Sequence, residues 1–124
     1  MRLLLFIGLG GFIGTISRYL LQQVISKMLP VIFPFGTLAV NIAGCLLIGI
    51  LYAFSDRWNV LTPEWRLFLT TGFCGGFTTF STFSYEAFNL IREDQYLYFS
   101  LYTGISVVAC IGATFLGIFL IRAL

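Results

Sequence analysis

Four long apolar stretches, parted by short polar interruptions, make up almost the whole chain. They run over roughly 3–25, 35–54, 65–91 and 96–121, and a helix needs roughly 20 apolar residues to cross the hydrocarbon core of a bilayer. The first interruption, Lys27 to Pro34, carries Pro30 and Pro34 as helix breakers. The second, Asp56 to Glu64, is edged by Trp58 and Trp65, whose amphipathic rings suit a membrane interface. Within it, Thr62-Pro63-Glu64-Trp65 reads as an N-cap, a proline at the first helical position and an acid in the first turn. Arg92-Glu93-Asp94-Gln95 forms the third. The pattern predicts an all-α membrane protein: a single domain, residues 1–124, of four transmembrane helices.

The polar residues inside the apolar runs are informative, because hydrocarbon holds no water to satisfy them. The third segment contains Gly72, Gly75 and Gly76, a succession of hydroxyls from Thr71 to Ser84, and Glu86. The glycines predict that this helix unwinds, with a break over Gly72–Thr79 and free carbonyls able to coordinate a cation near the midplane. Beyond the break, Phe80 and Phe83 share one face at i, i+3, with Thr79, Thr82 and Glu86 on the adjoining one. In the second segment Thr37, Asn41 and Gly44 align. The Asn41 carboxamide must find a partner on a neighbouring helix or a permeating ion, and the hydroxyls nearby favour a pore-lining donor. In the fourth, Thr103, Ser106, Cys110 and Thr114 recur at helical spacing beside Tyr102, forming a polar track. Single hydroxyls of this kind usually bond back to their own helix. In the first, Gly10 and Gly14 form a GxxxG step for close helix packing. Arg18, one turn on, either snorkels to the interface or faces an aqueous vestibule.

Composition sharpens the picture. The chain is 59% hydrophobic and 10% charged, whereas a soluble domain carries about 25% charged residues; the bilayer is therefore its solvent. A net charge of +2 without a basic run argues against nucleic acid as a partner. With no histidine, imidazole catalysis and His-ligated metals are excluded. Cys45, Cys74 and Cys110 each sit in an apolar segment without CxxC spacing, so they read as free thiols. The Gly8–Gly14 stretch imitates a dinucleotide loop, but Ile13 replaces its third glycine and no strand precedes it. Four helices make a thin bundle, so self-association is expected. Four crossings put both termini and the middle loop on one side with Arg2, Arg57, Arg66 and Arg122, against Lys27 and Arg92 opposite, joined by Arg18 if it snorkels outward. That bias is weak enough to allow both orientations and an antiparallel dimer.

The run Gly75-Gly76-Phe77-Thr78-Thr79-Phe80-Ser81-Thr82-Phe83-Ser84-Tyr85-Glu86 closely resembles the signature of the Fluc (CrcB) family of bacterial fluoride channels. The resemblance extends over the full chain: four short helices, Asn41 in the second, and the hydroxyl track of the last. It implies an antiparallel dual-topology homodimer in the inner membrane, with two pores that export fluoride passively. Phe80 and Phe83 match the phenylalanines whose ring edges line the pores, and Asn41 the asparagine beside them. Gly75 and Thr78 match the positions whose backbone carbonyls hold a structural sodium ion between the subunits. Tyr102, Ser106, Cys110 and Thr114 match the polar track, although Cys110 stands where serine is common and a thiol is a weak donor.

Fluoride chemistry suits these residue types. A small, tightly hydrated anion needs many donors, which the hydroxyls of Thr79, Ser81 and Thr82 and the Asn41 amide would supply. A phenyl ring has a positive edge against which an anion can rest. Arg18, Glu86 and Thr37 are candidates for a vestibule; Glu86 either hydrates its mouth or pairs with a cation. The rival reading is a small dual-topology proton-coupled multidrug or cation exporter. Such a transporter needs a carboxylate deep in the bundle, and the first, second and fourth segments have none there. A structural role would leave the polar track unexplained, and no general base accompanies the hydroxyls as an enzyme would require.

Overall fold

The computed structural model describes all 124 residues as a helical bundle. Its elements are α1 (Arg2–Met28), α2 (Phe35–Trp58), α3 (Pro63–Leu67), a π-helical stretch (Phe68–Cys74), α4 (Gly75–Phe77), α5 (Phe80–Arg92) and α6 (Tyr96–Arg122). Three of these, α1, α2 and α6, are each long and apolar enough to cross a membrane. The fourth crossing is composite. At about 1.5 Å per residue, neither its first part nor the 13-residue α5 reaches the roughly 30 Å of a hydrocarbon core. Only the two in series do.

Local chemistry explains the helix ends. The Thr62 hydroxyl accepts from the Trp65 N–H at 3.3 Å, with Pro63 behind it, as the sequence predicts. The second helix runs on past Phe54 to Trp58, where Asn59 turns left-handed with φ 51°. The extra turn is held from outside: Asp56 pairs with Arg66 at 3.6 Å, and the Arg57 guanidinium donates to the Ile121 and Arg122 carbonyls at 2.8 and 3.0 Å. Arg57 thereby satisfies carbonyls that the end of α6 leaves free. Phe6 meets Trp65 edge-on at 5.7 Å, so the start of α1, the α2–α3 loop and the end of α6 lie together. This is the arrangement that four crossings require.

The break in the third crossing is where the sequence reading needs correction. Gly72, Gly75 and Gly76 do not unwind. No glycine has positive φ, and the helix continues through them to Phe77. The extended residues are Thr78 (φ −90°, ψ 155°) and Thr79 (φ −149°, ψ 115°), at the far edge of the expected range. The glycines serve contact instead. A Cβ on Gly72 would stand 2.7 Å from the Ile7 oxygen, and one on Gly76 2.6 Å from the Gly11 oxygen. Gly10 and Gly14 answer from α1 against the Phe68 and Phe73 carbonyls. Helix pairs in lipid lack a hydrophobic driving force, so such close backbone approach is what joins them. Gly49 and Gly117 do the same between α2 and α6, a Cβ on Gly117 falling 2.5 Å from the Leu46 oxygen.

Gly14→Ala should lower the stability of the detergent-solubilised protein by about 1–3 kcal/mol, because the Phe73 backbone must shift. Gly8, which has nothing within 4 Å of an added Cβ, is the control. Equal thermal unfolding midpoints for Gly14→Ala and Gly8→Ala would refute the contact role.

Candidate functional site

The break is held by one side chain. Asn41, in the second turn of α2, accepts from the Thr79 N–H at 2.8 Å through Oδ1 and donates Nδ2 to the Thr79 carbonyl at 3.1 Å. This two-way pairing imitates a β-bridge and fixes the amide's orientation, since a flipped carboxamide would face donor with donor. One Nδ2 proton is left over. Asn41 is thus the interhelical partner that the bland reading of a membrane asparagine expects, with a spare donor that faces the groove described below.

Diverting Thr79 N–H has consequences for the carbonyls behind it. In a continuous helix the Gly75 oxygen would receive that N–H. The Thr78 oxygen would receive Thr82 N–H, which is taken at 3.2 Å by the Thr79 hydroxyl acting as N-cap of α5. Between them, the Gly76 oxygen accepts from Arg18 Nε at 3.0 Å. The two carbonyls expected to bind a cation are therefore among those whose helical donors have been taken away. Gly75 also lies on an open face, with nothing within 4 Å of an added Cβ. Arg18 neither reaches for the interface alone nor stands free in a vestibule: besides Gly76 it donates to Gln22 at 3.3 Å.

Two of the cavities beside the break hold most of the predicted pore and vestibule residues. The larger, about 460 Å³, opens beside the α1–α2 loop and is walled by Gln22, Thr37, Thr82, Glu86, Asn89 and Glu93 among others. Of the three vestibule candidates it holds Thr37 and Glu86, and Arg18 is not in its lining. Gln22, which the sequence reading passed over, donates to the Thr37 hydroxyl at 3.0 Å and so continues the line from Arg18. Its position one turn beyond Arg18 on the same helix was the available signal. Tyr102, fully buried, donates to Glu86 Oε1 at 3.1 Å and sets its ring 5.0 Å from Phe83, tilted by 49°.

The smaller cavity is a groove of about 320 Å³ between α2, α5 and α6. Asn41, Thr79, Phe80, Phe83, Ser106 and Cys110 line it, joined by Cys45, Thr78, Val107 and Ile111. Cys45 was legible as the next turn of the Thr37–Asn41 stripe. The Phe80 and Phe83 rings lie 5.4 Å apart at 49°. Phe83 is 8% exposed and Phe80 77%, so the groove is open on the side of Phe80. Ser106 Oγ, buried in the groove wall, has no hydrogen-bond partner, and neither has Thr103 Oγ1 a turn away. Buried polar atoms are nearly always paired, so this hydroxyl calls for a visiting partner.

Four predicted pore residues lie outside the groove. Thr82 belongs to the vestibule wall and accepts from the Thr79 hydroxyl at 3.1 Å. Ser81 is exposed, 3.4 Å from the same hydroxyl. Tyr102 stands between the two cavities. Thr114 spends its single proton on the Cys45 and Cys110 carbonyls, at 3.1 and 3.2 Å, which makes it a clasp between helices.

Comparison with known proteins matches residues 5–118 to the family described as CrcB-like protein, Camphor Resistance (CrcB). The chain is 49% identical over 119 residues to a Leptospira interrogans protein named fluoride-specific ion channel FluC, covering 96% of this chain and 94% of that one. A protein of the same name from Chlorobium luteolum is 48% identical over 114 residues, 92% and 88% of the two chains. One from Flavobacterium psychrophilum is 41% identical over 124 residues, the whole of both.

Replacing Asn41 by Leu strands the Thr79 N–H and C=O in an apolar wall, at a cost of about 1–3 kcal/mol for each buried group left unpaired. Hydrogen exchange should show the Thr79 amide losing protection in Asn41→Leu while amides in α1 keep theirs. Unchanged protection at Thr79 would refute the clamp.

Proposed function

The chain belongs to the CrcB family, and on that premise we propose that it is a fluoride channel, with the Asn41–Phe80–Phe83–Ser106 groove as half of its ion path. Membership makes it a multi-pass membrane protein and not an enzyme. The observation that carries the assignment to the groove is Ser106: a buried hydroxyl without a partner, in the same groove as the Phe80 and Phe83 rings. Fluoride entering there would meet the Ser106 O–H, the spare Asn41 Nδ2 proton and the positive ring edges. Hydroxyl and amide replace part of its water, while edge contacts stay weak enough for release. Chloride, being larger, would gain less from so narrow a set of donors. The vestibule of Gln22, Thr37 and Glu86 would hand the ion on past Phe83 and Tyr102.

A second copy of the chain completes the path. Phe80 is largely exposed and the groove has one open side, both of which a partner would cover. Antiparallel pairing agrees with the weak charge bias between the two sides and would give two equivalent pores. Sodium fits the break. Gly75 and Thr78 offer carbonyl oxygens without helical donors, and a hard cation takes oxygen ligands. When bound, the ion would neutralise the carbonyl dipoles gathered at the subunit boundary; it would not permeate. In the plasma membrane, an inside-negative voltage would drive fluoride outward through such a passive path and lower its cytoplasmic level.

Liposomes holding the purified protein should release fluoride rapidly when a potassium ionophore sets the voltage, and should retain chloride under the same protocol. Phe83→Ile keeps the bulk but removes the ring edge, and should slow release at least tenfold. Wild-type vesicles that hold their fluoride, or that exchange protons for organic cations, would overturn the channel reading. The sodium assignment has its own measurement. A ligand that binds only the folded protein raises its unfolding midpoint with concentration, so replacing sodium by choline should lower the midpoint. A midpoint indifferent to sodium would remove the ion from the proposal.

A further inference from the structure

The three thiols are free but not equivalent. Cys74 is sealed at 1% exposure, whereas Cys45 and Cys110 are each half-buried and both line the groove. They come from opposite walls, Cys45 from α2 and Cys110 from α6. Their backbones are held in register by one hydroxyl: Thr114 reaches the Cys45 carbonyl at 3.1 Å and the Cys110 carbonyl at 3.2 Å. Gly49 and Gly117 bring the same two helices into backbone contact directly beyond. The crossing is therefore held fast, and from its two sides Cys45 and Cys110 line the same groove. A sulfur pair on facing rigid helices, open to a cavity of about 320 Å³, is placed to share a ligand.

We propose that Cys45 and Cys110 form a two-thiol site for a soft metal ion of the univalent copper, silver or divalent mercury class, and that its occupation obstructs the groove. Thiolate sulfur prefers such metals, while the oxygen-seeking cations that suit the Gly75 and Thr78 carbonyls gain nothing there. The step conserves atoms and charge. A divalent ion M²⁺ and two R–SH give M(SR)₂ and two protons that leave to water, with no change in oxidation state. Cys74 also neighbours Cys45 but is closed to the groove, so it is the internal rival for the second sulfur. The binding claim stands on the thiols alone; the obstruction claim rests on the groove being the fluoride path.

The probe is mercuric nitrate, added to wild type, Cys45→Ser, Cys110→Ala and Cys74→Ala. Each protein is washed with a competing monothiol before bound metal is counted by elemental analysis. Wild type and Cys74→Ala should keep one mercury per chain, with two protons released on binding. Cys45→Ser and Cys110→Ala, left with a single thiol at the site, should keep at least tenfold less. Washed vesicles of wild type and Cys74→Ala should show fluoride release at least tenfold below their own untreated rates, with Cys45→Ser close to its own. Equal retention in all four proteins, or loss in Cys74→Ala, would overturn the pair. Mercury retained without slower release would overturn the obstruction. Untreated vesicles that move no fluoride would refute the channel reading instead, and the metal count would still decide the thiol pair.

Discussion

The paired hydrogen bonds between Asn41 and the backbone of Thr79 are the constraint on which the rest of the molecule depends. A crossing interrupted in mid-membrane exposes backbone groups to a medium that cannot solvate them, at several kcal/mol for each. One carboxamide carries both a donor and an acceptor at the spacing of a peptide unit, so it can satisfy an extended residue completely. Serine or threonine at this position could not do both in the same geometry. With Thr79 held extended, its hydroxyl is free to cap α5, and α5 starts with Phe80 and Phe83 aimed at the groove. The direction of the aromatic pair follows from the clamp.

Clamp and glycines work together. Backbone contact between α1 and the helix before the break depends on Gly10, Gly14, Gly72 and Gly76, and it brings Arg18 within reach of the Gly76 carbonyl. A guanidinium in this region is costly unless its donors are used. Here one goes to a carbonyl that the break has freed and another to Gln22, which passes the connection to Thr37. The arginine offsets the cost of the interruption, and the interruption gives the arginine its acceptor.

The crossings, the loops and the N-cap at Thr62 were legible in the sequence because each depends on local composition. The interruption was legible too, but its cause was not. Glycine in a membrane helix serves either a loosened backbone or a close neighbour, and the two uses look alike until the neighbour is known. Gly72 and Gly76 proved to be of the second kind, and the extended residues were threonines. Asn41 is a similar case. Its need for partners could be stated from one residue, whereas its bond to Thr79 spans 38 positions of sequence. Thr114 was read as part of a track by its spacing, yet spacing says nothing of where a hydroxyl proton is used. Ser106, of the same track, lies in the groove wall with its hydroxyl unpartnered.

The pattern of engaged and idle donors separates architecture from conduction. Thr114, Thr78 and Thr70 all donate to carbonyls, at 3.1, 3.0 and 2.7 Å in their shortest bonds, and the backbone consumes them. Ser106 has no such acceptor, and Asn41 has one proton beyond what the clamp uses. A membrane protein built only for stability would have no reason to leave a buried hydroxyl unpaired where valine or alanine would pack without that cost. Ser106 and Asn41 line the same groove as the Phe80 and Phe83 rings, whereas Thr103 Oγ1, also unpaired, lies outside it. That coincidence is what physical reasoning adds to family membership: it is the ground for proposing particular atoms as an ion's partners, while the hydroxyls bonded to carbonyls hold the helices in place.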